Sequence, residues 1–80
     1  MVDGARRRAL GVAAGWPDLV VVVPGRPPWF FEVKTRRGRL SPAQAEMHER
    51  LRALGCRVAT VRSADEAIEV VREWRRLDRV

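Results

Sequence analysis

Residues 19–23, Leu-Val-Val-Val-Val, form an unbroken apolar run dominated by β-branched side chains. The run is bounded by Gly15-Trp16-Pro17-Asp18 and Pro24-Gly25-Arg26-Pro27-Pro28, both rich in turn formers. The pattern predicts a β-strand covered on both faces. Residues 29–34 predict a second strand, in which Trp29, Phe31 and Val33 alternate with Phe30, Glu32 and Lys34. A connection this short makes the two strands a hairpin. A basic loop, residues 35–40, leads to a marked helix start: Ser41 as N-cap, Pro42 at the first helical position and Gln44 completing a capping box. Ala43, Met47, Leu51 and Leu54 keep helical spacing up to the stop at Gly55. Residues 56–61 predict a third strand. Ser63 and Glu66 predict a second capping box, before a helix with the stripe Ala64, Ala67, Ile68, Val71 and Trp74. Strand, helix and strand in succession place residues 56–61 in the sheet through a helical crossover. The expected fold class is a small α/β domain over residues 15–77. Residues 1–14 are read as a basic arm or a short helix capped by Asp3.

The hairpin brings unlike chemistry together. With the turn centred near Arg26, Asp18 faces Lys34 and Val20 faces Glu32. Asp18 and Glu32 then become diagonal neighbours, about 7 Å apart at Cα. A one-residue slip would move one strand's side chains to the other face. Burying two carboxylates and an ammonium on an apolar strand pair is costly unless they are compensated. Such a pair suits a hard divalent cation, Mg²⁺ or Mn²⁺, and a nearby lysine can hold a water or stabilise a charged transition state. Gln44 lies on the helix face of Met47, His48 and Leu51, so it should face the sheet. His48 by itself reads as a surface or boundary residue.

Charge sharpens this picture. The chain carries 16 basic and 10 acidic residues, a net +6. Fifteen of the basic residues are arginine, and the only lysine is Lys34. An ordinary ion pair accepts a guanidinium, whereas a site needing a compact, tunable ammonium does not. Residues 1–40 hold 8 basic and 3 acidic residues, and 41–80 hold 8 and 7. The excess lies in Arg6, Arg7 and Arg8 and in Arg36, Arg37 and Arg39, which leave the end of the second strand and are expected to contact phosphate. The longest apolar run is far short of the ~20 residues of a membrane helix, so no membrane partner is expected. One cysteine and no apolar leader fit a reducing, cytoplasmic setting.

Pro17-Asp18 followed by Glu32-Val33-Lys34 resembles the signature of the PD-(D/E)XK nucleases. Gly15-Trp16-Pro17-Asp18-Leu19, Glu32-Val33-Lys34-Thr35, residues 38–44 (Gly-Arg-Leu-Ser-Pro-Ala-Gln) and Val61-Arg62-Ser63 are similar to the VRR-NUC branch. The resemblance runs from about Gly11 to Trp74. It implies a restriction-endonuclease-like core in which Asp18, Glu32 and the Val33 backbone carbonyl bind Mg²⁺ or Mn²⁺. Lys34 would position the attacking water and Gln44 would support the site. It further implies hydrolysis of branched or flap-containing DNA by a homodimer resembling Holliday-junction resolvases. The family's N-terminal helix, which carries a supporting acid, is largely missing from the pattern. That leaves a second reading, a catalytically impaired nucleic-acid-binding or assembly module of the same fold.

Overall fold

A computed structural model describes residues 14–79. Strand β1 (Leu19–Val21) pairs antiparallel with β2 (Trp29–Val33), helix α1 (Pro42–Ala53) crosses over, β3 (Arg57–Val61) joins parallel to β2, and helix α2 (Ala64–Leu77) closes the chain. The strand order is β1-β2-β3, so β2 is central. No helix among the described residues is long and apolar enough to cross a membrane.

The alternation of β2 builds two cores. Phe30 packs with Met47, Leu51 and Val58 beneath α1, with Cys56 at the margin. Trp29 and Phe31 pack with Val61 against Ala67, Val70, Val71 and Trp74 of α2. The Trp74 ring lies 5.4 Å from Trp29 and 5.2 Å from Phe31, between centroids. Each buried aromatic of β2 contributes on the order of 3 kcal/mol. The far end of this layer is clasped by ion pairs. Arg57 reaches Asp78 at 2.8 Å and the Trp74 carbonyl at 2.9 Å, and Arg26 of the hairpin loop reaches Asp78 at 3.5 Å.

The helix starts follow the residues that predict them. Ser41 Oγ accepts from the Gln44 N–H while Gln44 Oε1 accepts from the Ser41 N–H. At α2, Ser63 Oγ accepts from the Glu66 N–H, but Glu66 reaches one residue further back, to the Arg62 N–H.

Four expectations are corrected. Among the described residues the apolar run is not covered on both faces: β1 is the sheet edge there, shortened to three residues, with Leu19 and Val20 each 53% exposed. The hairpin register is shifted by two. Leu19 pairs with Phe31 and Val21 with Trp29, because the turn centres on Gly25 (φ +72°), where the Arg26 N–H donates to the Val23 carbonyl. A shift of two preserves every face. The packing stripe of α2 uses Val70 in place of Ala64 and Ile68, which are exposed, and Leu54 beyond α1 is exposed as well. His48 is not at the surface but 1% exposed.

Candidate metal and nuclease site

The corrected register tightens the site. Extending it by one residue puts Asp18 directly opposite Glu32 rather than opposite Lys34. Asp18 Oδ2 accepts from the Val33 N–H at 2.9 Å. The N–H and C=O of one strand residue point to the same edge, so the Val33 carbonyl also faces the Asp18 side. Asp18 is exposed, Lys34 half-buried and Glu32 only 1% exposed.

Glu32 sits on the α1 face, and α1 supplies its neighbours. Gln44 Nε2 donates to Glu32 Oε2 at 3.3 Å, and His48 Nε2 lies 3.4 Å from Oε1. Lys34, two residues along and therefore on the same face, brings Nζ to 3.9 Å from Oε2. One amide, that of Gln44, thus closes the capping box and touches the buried carboxylate. His48 follows Gln44 by four residues, one helical turn further along the same face. Its other ring nitrogen, Nδ1, is buried without a hydrogen-bond partner among the described residues. Its spacing from Gln44, Met47 and Leu51 is the signal that places it inward. Only the fold shows that it lands on Glu32.

The loop before Asp18 rests on the first turn of α1. Gly15 has φ +88°, and a Cβ there would lie 2.3 Å from the Ala43 carbonyl oxygen. Trp16 covers Phe30 at 5.8 Å between ring centroids. On the other side, Arg62 Nη1 donates to the Thr35 and Gly38 carbonyls, at 2.8 and 2.6 Å. This holds the turn that follows Lys34 and carries Arg36, Arg37 and Arg39, all three exposed. Arg6, Arg7 and Arg8, with the N-terminal arm, lie outside the described residues.

The electrostatics disfavour a charged Glu32. Burial pushes its carboxyl above the usual glutamate range, and the neighbouring Asp18 carboxylate pushes it further; His48 and Lys34 pull back but do not cancel the rise. The protonated form is therefore the better folded one. This carboxyl favours stability below its unfolded value of 4.5, and that contribution is lost as pH rises through the higher folded value. Glu32→Gln is expected to raise the melting temperature of the metal-free protein at neutral pH, by a change on the order of 1 kcal/mol. The gain should shrink toward zero as pH approaches the unfolded value. Thermal melts in EDTA across this range check it.

The donor set fits a hard cation. No three His, Cys, Asp or Glu side chains gather into a metal centre among the described residues. Asp18 and Glu32 lie opposite each other across β1 and β2, and strand geometry turns the Val33 carbonyl toward the Asp18 edge. Mg²⁺ commonly binds through one or two carboxylates and keeps several waters.

Comparisons with known proteins bear on the fold and the family. A solved structure titled "VRR_NUC domain protein" is similar with a TM-score of 0.73 and 26% identity, covering 91% of this chain. The chain spans 62% of that protein's length. No curated protein matched. The sequence model of the VRR-NUC domain covers residues 5–65, most of the chain and every residue of the site from Asp18 to His48. With the domain model matched over most of its length and the mixed sheet in place beneath α1, the chain belongs to the VRR-NUC family, a nuclease-type family.

Proposed function

We propose that this chain is a divalent-metal-dependent DNA endonuclease acting on branched or flap-containing DNA. The observation that carries the reading is Glu32. It is a buried carboxylate beside a second carboxylate, and its nearest ammonium is 3.9 Å away. Charge of this kind at the end of a central strand is stabilised by a bound cation.

Asp18, Glu32 and the Val33 carbonyl would hold Mg²⁺ or Mn²⁺, which when bound supplies Lewis-acid polarisation of the phosphate and a more acidic water. Gln44 and His48 hold the Glu32 carboxylate in one orientation. Lys34 orients the attacking water and offsets negative charge developing on the phosphoryl oxygens. Arg36, Arg37 and Arg39 neutralise the DNA backbone beside the site. A second copy of the chain is the proposed partner, and strand β1, an exposed apolar edge among the described residues, supports it, since such an edge is open to pairing. Sedimentation measurements read that assembly directly.

The test is incubation with labelled branched, flap and linear DNA in Mg²⁺, Mn²⁺ or EDTA. Metal-dependent cleavage that favours the branched substrates is expected. Equal products in EDTA, or none in any condition, would refute the enzyme reading. A second reading is a binding module of the same fold that does not cleave. It is favoured by the absence of a third acidic side chain in the site among the described residues. It predicts salt-sensitive DNA binding with no product in either metal.

A further inference from the structure

The arginines of the described residues fall into two groups. Arg26, Arg50, Arg52, Arg57 and Arg76 each pair with a carboxylate, and Arg62 is spent on backbone carbonyls. Six others take part in no ion pair or side-chain hydrogen bond among the described residues. Three of these are the loop arginines beside the site. The other three are Arg72, Arg75 and Arg79, which together line a shallow cleft of about 190 Å³ on α2 and its C-terminal end.

Their spacing of three residues puts Arg72 and Arg75 on one flank of the helix, and Arg79, just past the C-cap Asp78, lines the same cleft. The acids of the same helix do not neutralise them. Glu73 is held by Arg76, Glu66 by the Arg62 N–H and Asp78 by Arg57. Glu69 sits one turn before Arg72 without pairing to it within 4.0 Å, and Asp65 lies in the first turn. The helix dipole favours cations in the last turn only, so it leaves Arg72 unexplained.

We propose that Arg72, Arg75 and Arg79 form a second phosphate-binding track, which holds a DNA arm away from the cleavage site. This rests on the nuclease reading and extends it to a surface remote from the metal ligands. Arg72 and Arg75 are separated by about 4.5 Å along the axis, and Arg79 extends the track past the helix end. The track begins about 14 Å along α2 from Ser63, which adjoins the Arg62-held loop. That separation corresponds to roughly four base-pair steps. Its unpaired guanidinium groups match a polyanion. The one exposed apolar residue on this flank, Ile68, is too little for the aromatic and aliphatic centre of a protein interface.

The experiment is fluorescence anisotropy with a labelled linear duplex and a labelled four-way junction in EDTA, so that no cleavage intervenes. The triple variant Arg72→Gln, Arg75→Gln, Arg79→Gln is compared with wild type. Circular dichroism melts confirm that both are folded. The variant should bind the junction about tenfold or more weakly, and its salt slope should fall by about two to three. The triple Arg→Lys variant, which keeps the charge, should recover most of the affinity. Unchanged affinity and salt slope in the Gln variant, with wild type binding DNA, overturns this track and leaves the nuclease reading standing. A wild type that neither binds nor cleaves DNA overturns both. Loss of affinity that the Lys variant does not recover overturns the phosphate assignment.

Discussion

Asp18→Ala is expected to lower the rate of DNA cleavage in Mg²⁺ by roughly 10³-fold or more, read as single-turnover kinetics on a labelled branched substrate. Asp18 is the exposed half of the facing carboxylate pair. In the proposed site its loss takes away one of two anionic ligands. The fold should survive the change. Asp18 gives up one hydrogen bond, from the Val33 N–H, worth about 1 kcal/mol. Its departure also removes a charge that raises the Glu32 carboxyl, which partly offsets that cost. The variant should therefore melt near the wild-type temperature in EDTA while lacking the melting-temperature increase expected of the wild type in Mn²⁺. Lys34→Ala should keep that metal-induced increase and still lose about 10²–10³ in rate, because it removes a group acting on water and phosphate rather than a ligand. Cleavage by Asp18→Ala within tenfold of wild type would refute the ligand role of Asp18.

Gly15→Ala is expected to be among the most destabilising single substitutions, although it adds only a methyl group at a partly exposed position. Two costs coincide there. The backbone at φ +88° is left-handed, which costs a non-glycine residue about 1–2 kcal/mol. The new Cβ would also meet the Ala43 carbonyl oxygen at 2.3 Å, a contact with helix backbone that no side-chain rotation relieves. Overpacking of this kind costs about 1–3 kcal/mol more. For a domain this small, a total near 3 kcal/mol corresponds to a loss of roughly 12–24 °C in melting temperature. The same clash pushes the Asp18 loop off the turn that carries Gln44, so metal affinity should fall even at temperatures where the variant is folded. Gly25→Ala, with φ +72° but no atom within 4 Å of its Cβ, isolates the backbone cost and should lose about half as much or less. Equal losses at the two glycines would refute the close approach at Gly15.

Much of this was legible in the chain. Alternation in residues 29–34 separates Trp29, Phe31 and Val33 from Phe30, Glu32 and Lys34, and a period-two pattern survives any even error of register. That is why Asp18, Glu32 and Lys34 came together although the turn was placed one residue too late. The Ser41, Pro42 and Gln44 helix start was equally readable, because capping depends on neighbours within one turn. The cover of the strand at Leu19 is not legible, for the opposite reason. An apolar β-branched run says that a strand forms, but whether its faces are covered depends on elements elsewhere in the chain. In the described residues it is an edge. The burial of His48 is hidden on the same ground, since a histidine on an inward helix face gains its meaning from what the sheet presents opposite it.

The division follows the range of the forces involved. Local sequence determined what acts between near neighbours: the helix starts, the strand alternation, the hairpin and the solitary lysine two residues from a glutamate. Tertiary structure alone decided what depends on packing between elements distant in sequence. It brought α1 over β2, so that Gln44 and His48 close on Glu32. It also left Arg72, Arg75 and Arg79, along and just past α2, without partners among the described residues, after Arg26 and Arg57 had taken Asp78. A carboxylate becomes a strained, cation-seeking group only when folding removes its water, and no stretch of sequence contains the water it will lose.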